Sequence, residues 1–96
     1  MQLEIITPET KVYAGPIEAV QLPGLEGLFQ ILKGHAPMIA ALGNGVVKID
    51  LPTAFVATEK TSSLIEVDAK DAKVIRVNIN GGVMEINDNK IVILAE

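Results

Sequence analysis

The sequence predicts an all-β domain, and three observations carry that reading. Apolar and polar residues alternate with a period of two in several segments, most clearly at 46–51 and 73–79. Glycine, proline, asparagine and aspartate punctuate the chain at intervals of roughly eight to twelve residues. No segment of ten or more residues with a 3.6-residue apolar period can be written anywhere in the chain. Many short strands at this spacing build a sandwich or a barrel, with no helix longer than about two turns.

Residues 2–7 alternate imperfectly, with Leu3 and Ile5 on one side and Glu4 and Ile6 on the other. Residues 7–10 (Thr-Pro-Glu-Thr) form a turn, with Pro8 at a favoured position. A short strand at 11–14 is broken by Gly15 and Pro16. Residues 17–22 resume as a strand, with Ile17, Ala19 and Gln21 opposed to Glu18, Val20 and Leu22.

The chain is organised around residues 21–37. An apolar segment of five residues, 28–32, lies between a corner containing Pro23, Gly24 and Gly27 and a second corner containing Gly34 and Pro37. Proline fixes φ and glycine admits positive φ, so both corners read as reversals of direction. Five residues are too few for a typical helix and suit a strand. Two shaped loops on one strand are where function is expected.

Residues 38–42 form a short apolar strand, stopped by Gly43-Asn44-Gly45. Asn-Gly between apolar runs predicts a hairpin to residues 46–51, in which Val47 and Ile49 oppose Lys48 and Asp50. From 51 to 73 the pattern weakens: 53–58 and 64–68 read as two further strands around 59–63, and 70–73 as a short helical or turn segment. Residues 73–79 form a strand with Ile75, Val77 and Ile79 on one side, and Asn80-Gly81-Gly82 a bend or bulge. Residues 83–86 and 90–95 pair across Asn87-Asp88-Asn89. Ile91 to Leu94 are apolar without alternation, which predicts burial on both faces.

Ninety-six residues make one domain, 1–96. Apolar residues are 49% and aromatics only 3%, so the core must be aliphatic. The net charge of −4, with eight basic residues scattered among twelve acidic ones, argues against nucleic acid as a partner. The absence of cysteine excludes disulfides and thiolate metal sites. Met1-Gln2-Leu3-Glu4 lacks the basic start of a signal peptide. The longest stretch free of charged residues, 34–47, has fourteen residues, too few to span a bilayer. A soluble, cytoplasmic protein is expected, its hydropathy reflecting a sheet core or an apolar contact surface.

His35, the single histidine, is the natural candidate for acid–base or metal chemistry. A zinc site would need carboxylates as its other ligands, and Glu26 is the only acid in the organising stretch. A histidine hydrogen-bonded to its own loop is the simpler reading. Glu66 and Asp68, with Asp71 nearby, allow an acid–base pair or a weak calcium site, but Lys70 and Lys73 beside them fit a solvated face better. The glycine loops at 24–27 and 43–45 open no helix and lack the lysine and hydroxyl of a phosphate loop. Leu25, Leu28, Phe29 and Met38 stand beside corners that should be wet, as residues of an interaction surface do.

Pro23-Gly24, Glu26-Gly27, Phe29, Ile31 and then Gly34-His35-Ala36-Pro37-Met38 resemble the amino-terminal domain of the F-type ATP synthase epsilon subunit. Val77, Gly81-Gly82-Val83-Met84-Glu85-Ile86 and Ile91-Val92-Ile93-Leu94-Ala95 resemble the last two strands of that domain. With residues 3–15, the likeness covers most of the chain in one order. The resemblance implies a flattened sandwich of two antiparallel sheets with about ten short strands. It also implies a non-catalytic rotor subunit without cofactor or metal, set against gamma and the c-ring. That place is peripheral, on the cytoplasmic face of the inner (plasma) membrane. There it would help couple proton flow to ATP synthesis or hydrolysis.

Carried onto this chain, the resemblance nominates Leu25, Glu26, Leu28, Lys33, His35 and Met38 as partner-binding residues, with both corners gathered at one end of the sandwich. The chain departs from the family pattern in places. Leu28 stands where relatives can carry a charge, Gln30 and Lys33 replace the usual Gly and Pro, and 51–73 is longer than the family's connection. Glu96 follows the last strand directly, so the carboxy-terminal pair of helices found in many members is expected to be absent. No inhibitory or ATP-binding role is therefore carried over. The rival readings are a small β-sandwich ligand-binding module using the glycine loops, and an enzyme built on His35 and Glu26.

Without a phosphate cradle, ATP should show no saturable binding up to millimolar concentration in titration calorimetry. Saturation below that range would show that the glycine loops do hold phosphate.

Overall fold

A computed structural model describes residues 1–96. The chain is all strand: β1 (Gln2–Ile6), β2 (Lys11–Pro16), β3 (Ala19–Gly24), β4 (Gly27–Leu32), β5 (Met38–Leu42), β6 (Gly45–Asp50), β7 (Ile65–Val67), β8 (Val74–Ile79), β9 (Gly82–Asn87) and β10 (Lys90–Ala95). The ten short strands and the absence of helix agree with the period-two pattern.

The strands run β2-β1-β10-β9-β5-β3-β6-β8-β7 in hydrogen-bonded order, with β4 added to β3. This nearly closed, barrel-like sheet is a sandwich whose two layers join at β3 and β5. All pairs are antiparallel except β1 with β10, where the two ends of the chain run side by side. That parallel pair is an addition to the expected antiparallel layers. Leu3 and Ile5 of β1 sit beside Ile91 and Ile93 of β10, and all four are fully buried.

The core is a single cluster of nineteen aliphatic and methionine side chains, with no buried polar or charged residue. It forms because most strands turn alternate residues inward, while β3 is buried on both faces. Val20 and Leu22 of β3 meet Ile31 and Phe29 of β4, Val47 and Ile49 of β6 meet Val77 and Ile75 of β8, and Met84 and Ile86 of β9 meet Ile93 and Ile91 of β10. Burying a side chain of this size contributes about 1.5–3 kcal/mol.

Three sequence expectations are overturned. The predicted hairpin at Gly43-Asn44-Gly45 does not form: β5 pairs with β9, and β6 pairs with β3 and β8. Neither Asn44 nor Gly45 has positive φ. This segment carries the chain from one layer to the other, with Gly43 N–H donating to the Pro23 carbonyl at 2.8 Å. Gly45 is needed for space, since a Cβ there would lie 2.7 Å from Pro23 Cβ. The two-residue turn with positive φ falls instead at Asp88 and Asn89, φ 51° and 66°, between the paired residues Asn87 and Lys90.

Residues 53–58 are not a strand. The crossing is pinned by Leu51 N–H to Lys73 O at 2.7 Å and Phe55 N–H to Ala72 O at 2.8 Å, with Phe55 packed on the core. Of the expected 64–68 strand only β7 forms, and 70–73 is turn and bend. Lastly, Ile91 to Leu94 are not buried on both faces. Ile91 and Ile93 are fully buried, but Leu94 is 55% exposed.

Asp68 closes the β7–β8 connection. Its carboxylate accepts from Lys70 N–H at 3.0 Å, Asp71 N–H at 2.9 Å and Arg76 Nη1 at 2.8 Å. The Arg76 hydrogen bond, then the backbone donors, hold this carboxyl below the usual aspartate range. A depressed folded pKa adds stability that is present above the unfolded value and lost as pH falls through the folded one. Asp68→Asn should lower the melting temperature at neutral pH, and the gap to the parent should close in acid. A gap that persists below the aspartate range would assign the effect to something other than ionisation.

Gly81 and Gly82 carry the chain from β8 into β9 with φ 132° and 147°. A Cβ on Gly82 would run into the Leu94 carbonyl oxygen of the paired strand. Gly82→Ala is expected to cost about 2 kcal/mol or more in urea denaturation, from strain and the broken approach to β10. Unchanged stability would mean that β9 and β10 separate without loss.

Candidate functional site

The central outward-facing rows of the two layers differ. Across β4, β3, β6, β8 and β7 the central outward row reads Gln30, Gln21, Lys48, Arg76 and Glu66. This central row is polar, as on the solvated side of a sheet, while Leu28, Leu32 and Val46 stand exposed in the rows beside it. Across β5, β9, β10 and β1 the corresponding row reads Ala41, Val83, Leu94 and Ile6. The next row adds Ile39, 70% exposed, and Val92, with Glu85 between them and Glu4 beyond. Lys11 pairs with Glu4 at 3.2 Å at the margin. Isolated exposed apolar residues are ordinary, but a contiguous apolar row across four strands, rimmed by charge, marks an interaction surface.

The two corners are separated. β4 pairs with β3 along its whole length, from Gly24 opposite Gly27 to Ala19 opposite Leu32. The loop at 25–26 and the loop at 33–37 therefore lie at opposite ends of a straight strand, roughly 20 Å apart. The expectation that they gather at one end fails because nothing bends β4 along its length: the positive-φ glycines stand at its first residue, Gly27 at φ 129°, and beyond its end, Gly34 at φ 86°.

At the first corner Leu25 is 71% and Leu28 67% exposed, and Glu26 is exposed. They line an open cleft of about 480 Å³ with Gly24, Phe29, Ala40 and Ala41. Ala41 belongs to the apolar row, so this corner continues into that face. At the second corner Lys33 and His35 are exposed, while Met38 is half-buried against the core. His35 Nδ1 lies 2.7 Å from the Ala36 carbonyl, and since a carbonyl only accepts, Nδ1–H is the donor.

This arrangement supports no catalytic centre. His35 and Glu26 sit at opposite ends of β4, beyond any shared proton transfer. No group of three metal-ligating side chains converges anywhere. The cleft at 24–29 has an exposed glutamate as its only polar side chain, and no buried polar side chain lacks a partner. Its chemistry is that of a shallow apolar contact, not of a small-molecule site with convergent polar groups.

Residues 1–60 match the family described as ATP synthase, Delta/Epsilon chain, beta-sandwich domain. The chain is 35% identical over 95 residues to the ATP synthase epsilon chain of Chlorobium limicola, covering 99% of this chain and 88% of that one. It is 37% identical over 94 residues to that of Chlorobaculum tepidum, covering 98% and 86%. The chain belongs to the ATP synthase epsilon chain family.

The family's subunit is a stalk component and not a catalytic one, in keeping with a site of adhesion alone. Against the epsilon chain of Salinibacter ruber, 35% identical, the chain spans 58% of the relative's length. The fold is shared with a chain of the Euglena gracilis mitochondrial ATP synthase OSCP/F1/c-ring structure, at a TM-score of 0.73 and 18% identity, covering 97% of this chain and 48% of that one. It is also shared with a chain of the Tetrahymena thermophila mitochondrial ATP synthase central stalk/c-ring structure, at 0.69 and 15%, covering 98% and 61%. No helix is long and apolar enough to cross a membrane.

Sequence reasoning missed Ile6, Ile39, Val83, Val92 and Leu94. The unbroken run at 91–94 was the available signal. Two of its four residues face outward, which only the pairing of β10 between β9 and β1 reveals.

Proposed function

We propose that this chain is a non-catalytic central-stalk subunit of the proton-translocating F-type ATP synthase rotor, joining gamma to the c-ring. The observation that carries the reading is the contiguous apolar face on β5, β9, β10 and β1 of a domain belonging to the epsilon chain family. In this reading that face packs against gamma, and the exposed corners of β4 (Leu25, Glu26 and Leu28 at one end, Lys33 and His35 at the other) meet the c-ring. Met38 supports the second corner from below. The subunit is peripheral, held at the cytoplasmic face of the inner membrane by the complex. It transmits torque by adhesion and helps couple proton transport to ATP synthesis or hydrolysis.

A rigid aliphatic core suits this role, because close-packed interiors pass strain with little deformation. Buried apolar contact, not ion pairing, would hold gamma, so the contact should resist salt.

In a pull-down from detergent-solubilised membranes, tagged chain should retain gamma. Leu94→Lys should weaken that retention by tenfold or more, equivalent to about 1.4 kcal/mol or above. Leu28→Asp should weaken c-ring retention. Both sites are exposed, so melting temperatures should move little, within about 0.5 kcal/mol of stability. Failure to recover gamma, or retention in step with unfolding alone, would remove the rotor reading.

A further inference from the structure

One charge without a partner stands inside the apolar face. Glu85 of β9 lies opposite Ile39 of β5 on one side and Val92 of β10 on the other. Along its own strand, Val83 and Asn87 are its neighbours on the outward side. Glu85, Ile39 and Val83 are all exposed, so the carboxylate sits among the side chains that this face offers to a partner.

The chain has two ion pairs, Lys11 with Glu4 and Arg76 with Asp68, and neither involves Glu85. Glu4, the other carboxylate of the row that holds Ile39, Glu85 and Val92, is thus neutralised from within at 3.2 Å. Lys90, opposite Asn87, stands diagonally across from Glu85 and makes no ion pair. Glu85 also lines an open recess of about 350 Å³, walled by Pro37 and Ile39 on one side and Asn87 on the other. While the domain is free, water solvates this carboxylate at no cost. Covering the face strips that water, and a carboxylate buried without a counter-charge costs more than an aliphatic neighbour contributes. A wholly apolar partner surface is therefore penalised at this one point.

We propose that the gamma surface covering this face sets one basic side chain, arginine or lysine, into the recess at Glu85. The inference deepens the rotor reading and rests on it. The charge of the whole chain agrees, since a net −4 attracts a cationic partner. Compared with an apolar contact of the same size, such a pair adds little affinity. Its effect is on register: the apolar rows alone allow gamma to slide across them, and the pair admits one seating. Covered by the contact, the pair is screened less than one at the rim, so the salt resistance of the face is kept.

The test measures the concentration of tagged chain that retains half of the gamma from detergent-solubilised membranes. Glu85→Gln and Glu85→Leu decide by the sign of their effect. If gamma brings a cation, both variants leave it buried and unpaired, and retention should weaken, by tenfold or more for Glu85→Leu. If gamma brings none, both remove a charge that the contact desolvates, and retention should hold or tighten. Glu85→Lys should weaken retention further than either. Lys90→Gln should bind as the parent does, and Glu85→Leu should lose as much in that background as alone. Glu85 is exposed, so the melting temperatures of these variants should stay near the parent's. Retention by folded Glu85→Gln and Glu85→Leu equal to the parent's or tighter overturns the proposal. So does an effect that vanishes without Lys90, which would make the pair internal, or a loss that only follows unfolding. A parent chain that retains no gamma removes the rotor reading and this inference together. A parent that retains gamma and loses it with Leu94→Lys, yet is indifferent to Glu85, removes this inference alone.

Discussion

Pro23 divides the sheet, and the architecture depends on it. β3 runs six residues, yet its ladder with β6 covers only Ala19 to Gln21. Pro23 has no N–H to continue that ladder, so β6 parts from β3 there. The Pro23 carbonyl turns to Gly43, Gly24 meets Leu42 of β5, and the second layer begins. Gly45 lets the chain pass against the proline ring at a distance no side chain would permit. One missing donor and one missing Cβ thus let a single ladder turn into two facing layers around one core.

Those layers do unequal work. The core is wholly aliphatic and holds no polar group, so it specifies shape through packing alone. The β3-side layer presents Gln21, Lys48 and Arg76 to solvent, and the Asp68–Arg76 contact at 2.8 Å closes its far edge. The other layer presents Ala41, Val83, Leu94 and Ile6. A sheet with apolar residues on both faces leaves one of them open to a partner, which is the physical basis for reading this domain as an adhesive element of the stalk.

β4 belongs to neither role fully. Its inner residues Phe29 and Ile31 seal the core against Leu22 and Val20, while its outer edge is unpaired. It resembles a flap tied by one long ladder. The corners at its ends were singled out in the sequence for their glycines and prolines, and those residues do set the reversals. They place the corners apart, because a six-residue strand without a break is rigid in length.

The sequence by itself determined most of the strands, the inward faces of those that alternate, and the family. Period-two alternation reports burial strand by strand, and the blocks at 23–38 and 77–95 identified the family without any contact being known. The turn at Asp88 and Asn89 and the bend at Gly81 and Gly82 were equally legible, since positive φ leaves its mark on residue choice. Pairing was decided only in the tertiary structure. Whether Gly43-Asn44-Gly45 joined neighbours depended on Pro23, twenty residues earlier, and whether Leu94 was core or surface depended on strands from both ends of the chain. Local residue choice records the conformation of a segment, whereas an exposed apolar face is a property of four strands placed side by side.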